Sequence, residues 1–374
     1  LALEAAATTT IPANVAAVVT DTISATQAEA LTVNARIGTG VVTATVTADQ
    51  ADDLRAALSN TAADVLSLTV LEDTGATDAA DLLLLDGLTA GTIDVSNVTA
   101  VQGLVAELTA AAGIYGKADI IGLTGNEAIT ENSGGGISIA NANALAALTT
   151  GVVTATVTAG SANALATGLN ETGNAYTLAV SDAANGGTVA AGDLLTLNGQ
   201  TTTAIDVTLV DDTGGSTLSL TGTYSEIKAL FAAAAAGDYT GLQADLPISV
   251  TGGISVSQAN EINALTTKAV TATISTGDMA TLNGLEGTGN VYSITVADTS
   301  AAASDLIALD AKTAGVVNAN AVTTLNGTHA DINSVLALEA AATTTIPANV
   351  AAVVTDTISA TQAEALTVNA RIGT

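Results

Sequence analysis

The sequence predicts an α/β fold: a continuous solenoid of strand-helix rungs with a leucine-rich-repeat-like period of about 22 to 28 residues and a parallel β-sheet on one side. Three observations predict it: a marker segment that recurs along the chain, four rungs between successive markers, and an exact duplication of 39 residues. A rung is one strand with one helix. Because a single rung cannot bury its apolar face alone, it needs neighbours built in the same way, and the repeats supply them.

The marker is a helix pattern followed by a strand pattern, and it occurs at residues 23 to 47, 137 to 158 and 254 to 275. In the last marker Ala259, Ile262 and Leu265 recur every three residues, which is the apolar stripe of a short helix. The strand pattern VTATI at 270 to 274 alternates apolar residues with threonine, which is typical of one buried and one exposed face. The threonines of the three strands align at intervals of 111 and 117 residues.

Residues 1 to 39 recur without a change as residues 336 to 374, an offset of 335 residues. The chain is therefore predicted to be one continuous solenoid over 1 to 374, made of a 335-residue unit and the 39-residue start of the next identical unit. The predicted sub-repeats span about 23 to 136, 137 to 253 and 254 to 357. With about twelve rungs at about 4.8 Å each, identical units are expected to recur about every 58 Å.

Within each sub-repeat the second, third and fourth rungs have their own signatures. The second carries an apolar residue in register at Leu54, Leu165 and Leu282. The third is the clearest and predicts core leucines preceded by an aspartate in the first helical turn, where the helix dipole favours negative charge: Asp81 with Leu82, Asp193 with Leu194, and Asp305 with Leu306. The fourth predicts longer helices at 223 to 237 and 328 to 342.

The composition excludes several classes of protein. With 36 acidic residues against 7 Lys plus Arg and a net charge of -29, the chain offers no basic cluster for nucleic acid. It contains no cysteine, which excludes disulfides and thiol chemistry. Its longest apolar runs are far shorter than the roughly 18 residues of a membrane span, so none is predicted in this segment. A core made of small side chains is expected, since only 2% of the residues are aromatic.

Catalytic residues are not predicted. The single histidine, His329, stands at a helix start and is predicted to be a solvent-exposed cap rather than a base. No enzyme activity, catalytic residue or cofactor-binding residue is therefore assigned.

Calcium is the one cofactor that the sequence leaves open. Asp73, Asp182 and Asp298 recur just after equivalent strands and are the candidate ligands, since carboxylate oxygens are what Ca²⁺ prefers. A second set recurs in the next strand, at Asp94, Asp206 and Asn318. The chain has neither the EF-hand nor the calcium nonapeptide pattern, and each set supplies about one ligand per sub-repeat. Solvated surface acids are the competing interpretation.

Threonine pairs in the marker strands, such as Thr43 with Thr45 and Thr271 with Thr273, are typical of flat ice-binding solenoids. Such a surface needs threonines on successive rungs, and here the neighbouring strands interrupt them. Ice binding is therefore placed behind a structural role, for which small polar residues on an exposed strand face are ordinary.

Two stretches, ALTTGVVTATVTAGSANAL at 147 to 165 and the segment from 305 to 338, resemble the giant repetitive cell-surface proteins of marine cyanobacteria. The resemblance covers nearly the whole chain. It implies a location at the cell surface or outside the cell, and it brings no catalytic residues.

The leading hypothesis is a non-catalytic structural, extracellular repeat protein that forms a long fibre or surface layer. Its predicted partners are further identical tandem repeats or copies of itself. The alternatives are, in order, a repeat adhesin that binds a surface or carbohydrate, with calcium as a stabiliser, and a solenoid polysaccharide lyase. A lyase would need clustered Arg, Lys and Asp on one strand face, and the sequence has no such cluster.

Overall fold

The computed structural model describes residues 14–33, 40–109, 111–182, 188–208 and 219–368. In these residues parallel strands alternate with helices, which confirms the α/β class and the strand-helix pattern. The chain forms two compact units: the first comprises Leu1–Ala159, Thr167–Ala179 and Gly199–Ala204, and the second comprises Gly160–Ala166, Val180–Asn198 and Ile205–Thr374. That the whole chain is one continuous solenoid stays a prediction.

The first unit contains two parallel sheets whose strands interleave along the chain. One sheet has the order β1 (Ala17–Ile23), β2 (Val42–Val46), β4 (Val65–Leu71), β6 (Ile93–Asp94) and β8 (Ile120–Ile121), with β3 (Asp49–Gln50) paired to β4. The other has the order β11 (Ala175–Thr177), β10 (Val153–Thr156), β9 (Ala128–Glu131), β7 (Ala100–Gly103) and β5 (Thr77–Asp78).

The second unit repeats this arrangement. Its long sheet has the order β12 (Thr188–Ala190), β14 (Ser219–Gly222), β16 (Ile248–Ile254), β17 (Val270–Ile274), β18 (Val291–Thr295), β20 (Val317–Asn318) and β22 (Thr344–Thr345). A pair is formed by β13 (Ile205–Asp206) and β15 (Tyr239–Thr240). A third sheet has the order β19 (Ser300–Ala302), β21 (Thr324–Gly327) and β23 (Ala351–Val354).

Short helices connect the strands. In the first half of the chain they are α1 (Ala25–Val33), α2 (Ala51–Ala57), α3 (Ala79–Asp86), α4 (Val105–Thr109), a 3-10 turn (Ile114–Gly116), α5 (Ile139–Ala146) and α6 (Ala162–Gly168). In the second half they are α7 (Ala191–Gln200), α8 (Tyr224–Ala236), α9 (Val256–Asn263), α10 (Met279–Leu282), α11 (Ala303–Asp310), α12 (His329–Ala340) and α13 (Ala360–Val368). The long helices α8 and α12 are those predicted for the fourth rung.

Equivalent strand pairs have the same register wherever they recur. The partners are Ile93 and Ile120 in one place, Ile205 and Tyr239 in the next, and Val317 and Thr344 in the third. All the pairs between named strands are parallel, as crossover connections through helices require. The repeats of the sequence are therefore matched by repeats of backbone hydrogen bonding.

The core is formed by the residues that the helix and strand periods select. The predicted leucines of the second and third rungs are fully or almost fully buried, which confirms their assignment: Leu54, Leu82, Leu165, Leu194, Leu282 and Leu306. The apolar residues of β17 are buried and alternate with exposed threonines, as predicted. Leu265 is only half-buried, unlike Ala259 and Ile262, because α9 ends at Asn263 and Leu265 lies beyond the stripe.

The prediction of one sheet on one side differs from the structure, which has several sheets. Segments such as β19 and β21 pair beside the long sheet of their unit rather than within it. They are two to four residues long, as β13 and β21 illustrate, and so short a segment carries no readable period of two. In the part of the chain that the structure describes, no helix combines the length and apolarity that crossing a membrane requires.

Candidate functional site

The single histidine is the first residue of α12. Its backbone N–H donates to Asp356 Oδ1 at 2.8 Å, and its ring Nε2 lies 3.0 Å from the amide nitrogen of Asn333. The side chain is half-buried rather than solvent-exposed as predicted, because Asn333 one turn later covers it. An amide does not activate a histidine as a general base. The contacts of His329 therefore stabilise the start of helix α12.

The three predicted calcium ligands share one structural role. Asp182 Oδ2 accepts the backbone N–H of Ala162 at 2.7 Å, and Asp298 Oδ2 accepts that of Met279 at 2.6 Å. Asp73 accepts a hydrogen bond from the backbone of Ala51. Each donor is the first residue of a helix in the preceding rung, so each carboxylate satisfies a helix N-terminus. These aspartates tie neighbouring rungs together, and calcium binding stays a prediction.

The second acidic set closes local turns at strand ends. Asp94 Oδ1 accepts the backbone N–H of Ser96 at 3.0 Å, Asp206 Oδ1 accepts that of Thr208 at 2.9 Å, and Asn318 Oδ1 accepts that of Asn320 at 3.1 Å. The Thr208 hydroxyl, which donates to Asp206 Oδ1 at 2.5 Å, and the Thr208 N–H hold the pKa of the Asp206 carboxyl below its usual value. An amide at the third position makes the same turn, so the turn does not depend on a charge or on a cation.

An acidic cavity of about 390 Å³ lies beside Asp73 in the first unit. The carboxyl groups of Asp52, Asp73, Asp78 and Asp81 line it, together with Gln50 and Gln102. Burial, followed by the charges of Asp52 and Asp81, raises the pKa of Asp73. Burial also raises the pKa of Asp81, against the opposing charge of Arg55 at 2.6 Å. The sequence singles out Asp73 as a candidate ligand and Asp81 as a first-turn aspartate. It connects neither with the aspartates at 52 and 78, which are not repeated: alanine stands at positions 190 and 302, the equivalents of Asp78.

The described residues contain no group of three or more His, Cys, Asp or Glu side chains placed to hold a metal ion. Three of the described lysine side chains bind within their own unit. Lys117 Nζ lies 2.7 Å from Asp86 Oδ2, Lys228 Nζ lies 3.2 Å from Glu261 Oε2, and Lys312 Nζ donates to the carbonyl oxygens of Asn283 and Leu285. Each of these contacts joins residues about 27 to 33 positions apart in the chain, as neighbouring rungs are.

A buried polar seam between rungs was missed by sequence analysis. Val153 donates its backbone N–H to Asn174 Oδ1 at 2.9 Å, and Val270 donates to Asn290 Oδ1 at 2.8 Å. In the first sub-repeat Asp64 Oδ1 takes this place and accepts from Val42 at 2.7 Å. The three acceptors are almost completely buried. Each stands directly before a strand and satisfies the first N–H of the strand beside it, which has no other partner there.

Threonines continue the seam one rung further on. The hydroxyl of Thr313 lies 2.9 Å from the carbonyl oxygen of Tyr292 and accepts the Tyr292 backbone N–H at 2.8 Å. Thr89 makes the same contacts with Leu66, at 3.0 Å and 2.9 Å. The glycine two residues later comes so close to the preceding rung that a Cβ on Gly315 would lie 2.3 Å from the Tyr292 oxygen.

A third inter-rung contact joins successive helices. Asn143 Oδ1 accepts the backbone N–H of Asn170 at 3.1 Å, and Asn260 Oδ1 accepts that of Glu286 at 2.9 Å. Their amide nitrogens donate to carbonyl oxygens at the end of the next helix, at 2.8 Å in both places. These pairs hold the helix of one rung against the end of the helix in the next.

In the first sub-repeat a glutamate occupies this position. Glu29 accepts from the backbone N–H groups of Ser59 and Asn60, at 2.9 and 3.1 Å, and from the side chains of the same two residues. Burial alone would raise the pKa of Glu29, but these hydrogen bonds outweigh it and lower the pKa to about 2. The charged residue is accommodated because the side chains of Ser59 and Asn60 donate to it in addition to their N–H groups.

A second cavity is open and polar. It measures about 490 Å³ and lies in the first unit, lined by the turn at 146 to 151, by Gly125 and by Glu171, Thr172 and Asn174. Nearby, Glu127 is buried and accepts from the Thr124 backbone N–H at 2.6 Å and from the Tyr115 hydroxyl at 3.1 Å. Burial raises the pKa of Glu127, yet these hydrogen bonds lower it by more, so the carboxylate supports the turn beside the cavity.

The exposed strand faces carry mixed rows of side chains. In the second unit one row runs through Thr221, Ser249, Thr271 and Val291. In the first unit the equivalent row runs through Val18, Thr43 and Val65, so valine interrupts the threonines.

No protein-family model, no curated protein and no solved structure matches this chain.

Proposed function

We propose that this chain is a non-catalytic structural repeat protein, which forms a long fibre or surface layer at the cell surface or outside the cell. The observation that carries the proposal is the recurrence of the same rung-to-rung contacts in each sub-repeat, from strand register to the buried Asx seam. The polar and charged residues that could carry out chemistry instead hold neighbouring rungs together. The function of such a chain lies in its length and its surface.

The polar residues support this proposal through the roles they hold. The predicted calcium ligands satisfy helix N-termini, three lysines join neighbouring rungs, and the histidine begins a helix. The acidic excess that remains on the surface keeps long arrays apart and hydrated. The resemblance to giant cyanobacterial surface proteins is consistent with the same role and stays part of the proposal.

The test is electron microscopy of the native material, together with a chain extended by further identical units. The expected result is filaments or sheets with an axial repeat of about 58 Å, since each rung adds about 4.8 Å. Discrete globular particles would end the fibre proposal. A regular filament with a different axial repeat would keep the fibre and reject the rung count.

A repeat adhesin is the second candidate, and the cavity of about 490 Å³ is the observation that favours it. Its hydroxyls, its turn amides and the Glu171 carboxylate are groups that hydrogen-bond sugars. No aromatic residue is among the described residues that line it, so the stacking that usually strengthens sugar binding is not provided there. Binding to a glycan array that is lost in Glu171→Gln and retained in Glu261→Gln would favour the adhesin.

A further inference from the structure

The duplicated segment is described in both of its copies, at 14–33 and 349–368. Its helix is the same in each, whereas its strand spans Ala17–Ile23 in the first copy and Ala351–Val354 in the second. Helix α1 and helix α13 cover the same nine residues of the segment. Each begins at a serine whose hydroxyl accepts a backbone N–H at 3.2 Å, from Gln27 to Ser24 and from Gln362 to Ser359. The two copies differ in what lies beside them.

The second copy uses one edge of its strand. The N–H groups of Ala351 and Thr355 donate to the carbonyl oxygens of Thr323 and Gly327, at 2.8 and 3.0 Å. Strand β23 is the last strand of its sheet, so its other edge carries no strand among the described residues.

The first copy uses the opposite edge. Ala17 donates its N–H to Val41 O at 3.0 Å, and Ile23 O accepts the N–H of Thr47 at 2.8 Å. Ala17 is equivalent to Ala352, the neighbour of Ala351. Because successive N–H groups of a strand point to opposite sides, the same segment is built to pair on both edges. Each copy shows one half of that pairing.

Burial follows the same division. Ala28 on α1 is fully buried in the first unit, whereas Ala363, its equivalent on α13, is exposed. The two alanines have identical sequence neighbours on both sides, so the difference comes from the rungs that follow α1 at residues 40 to 64. The contrast does not extend along the whole helix, because Leu366 further along α13 is buried in the second copy.

We propose that the face formed by residues 349–368 binds residues 40–64 of a second copy of the 335-residue unit. The register is that of β1 on β2, with Ala352 beside the equivalent of Val42 and Val353 beside the equivalent of Thr43. The inference rests on the proposed fibre function, because it supplies the junction between successive units.

The polar contacts select residues 40–64 over the equivalent segments of the other sub-repeats. Glu364 stands where Glu29 stands in the first copy, and there the carboxylate is bound by the side chains of Ser59 and Asn60 as well as by their N–H groups. The equivalent of Ser59 is Asn170 in the second sub-repeat and Glu286 in the third. A carboxylate facing Glu286 would meet a like charge, which disfavours that register.

The test is disulfide trapping in a chain extended by one further 335-residue unit, which is clean because the protein has no cysteine. Val353→Cys is combined with Cys at the equivalent of Thr43 in the added unit. Paired residues of adjacent parallel strands lie about 4.8 Å apart, within the reach of a disulfide. Rapid oxidation is expected, and at least tenfold slower oxidation is expected when the second Cys is at the equivalent of Thr271. Equal rates for the two would overturn the proposal.

Two proline variants of the extended chain test the edge itself. Ala352→Pro removes an N–H that donates a hydrogen bond in the proposed junction. Because one hydrogen bond of about 1.4 kcal/mol is lost, cross-linking should become about tenfold slower. In the 374-residue chain the same change should leave the unfolding curve unaltered, whereas Ala351→Pro should destabilise it by removing the bond to Thr323. An unchanged cross-linking rate in Ala352→Pro would also overturn the proposal.

Electron microscopy of the same extended chain separates this inference from the function on which it rests. An elongated particle without the cross-link would reject this junction and leave the fibre proposal standing. A compact particle would reject the fibre proposal whether or not the cross-link forms.

Discussion

Truncation of one buried amide tests whether the polar seam between rungs stabilises the fold. Asn290 is almost completely buried; its Oδ1 accepts the N–H of Val270 at 2.8 Å and its Nδ2 donates to Asn263 Oδ1 at 2.8 Å. Asn290→Ala removes the acceptor of the Val270 N–H and the donor to Asn263 Oδ1. A buried N–H that loses its acceptor costs about 1 to 3 kcal/mol, and the second hydrogen bond adds about 1 kcal/mol, so the expected loss is about 2 to 4 kcal/mol.

The loss is measured by equilibrium unfolding in urea, followed by circular dichroism, with hydrogen exchange of the Val270 amide as the local readout. Asn320→Ala is the control, because that side chain is exposed and its contact with Thr345 is long, at 3.3 Å. Asn290→Asp should fall between the two, since it keeps an acceptor for Val270 and loses the donor to Asn263. A loss below about 1 kcal/mol in Asn290→Ala, with unchanged exchange at Val270, would refute the stabilising role of the seam.

Four further predictions concern packing, charge and calcium. Gly315→Ala should cost about 1 to 3 kcal/mol in urea unfolding because its Cβ would lie 2.3 Å from the Tyr292 oxygen, whereas Gly135→Ala, with open space around its Cβ, should be neutral. Leu306→Asp should cost several kcal/mol by burying an unpaired charge, and an unchanged thermal midpoint would contradict the core assignment. The pKa of Glu29 is lowered to about 2 from an ordinary 4.5, so its stabilisation is present above about pH 4.5 and is lost as the pH falls towards 2. The difference in unfolding free energy between the wild type and Glu29→Gln, of order 1 kcal/mol after allowance for solvent screening, should therefore shrink over that range, and a constant difference would count against the assigned hydrogen bonds. Chelation with EDTA should leave the circular dichroism spectrum intact because the Asp182 and Asp298 carboxylates already accept helix N–H groups, and loss of secondary structure would favour the calcium-stabilised adhesin.

Much of the core was predictable because it depends on the short helix and strand periods of the sequence. Leu82, Leu194 and Leu306 follow a shared pattern of residues, and a helical period of 3.6 puts them on the inner face in every context. The marker strand was equally readable, since its alternation of Val270, Ala272 and Ile274 with threonine matches the strand period. These signals are local, and the tertiary contacts agree with them.

The polar seam was not predictable in the same way. Asn174 and Asn290 end the segments ETGN and GTGN, whose composition indicates an ordinary exposed turn. Their burial depends on the strand of the preceding rung, more than twenty positions earlier in the case of Val153. The available signal was their recurrence at intervals close to those of the marker, with Asp64 as the first member.

The acidic cavity could not be predicted from the sequence either. Asp52 and Asp78 have no repeated counterparts, so no periodic signal connects them with Asp73 or Asp81. The fold brings them together because helices α2 and α3 lie side by side and both start near the turn that contains Asp73. Burial and the like charges of Asp52 and Asp81 raise the pKa of Asp73, which only the spatial arrangement of these groups can reveal.

The sequence by itself determined the α/β class, the repeats, the inward leucines and the absence of cysteine chemistry, because periods, composition and duplications are properties of the chain order. Only the tertiary structure decided which polar groups form hydrogen bonds between neighbouring rungs. The predicted calcium ligands, the glutamate of α1 and the seam residues obtain their roles from backbone N–H groups one rung away. The tertiary structure also decided the burial of the duplicated segment: Ala28 is buried in the first copy, and its equivalent Ala363 is exposed in the second. Burial depends on what packs against a residue and not on the residues beside it in the sequence.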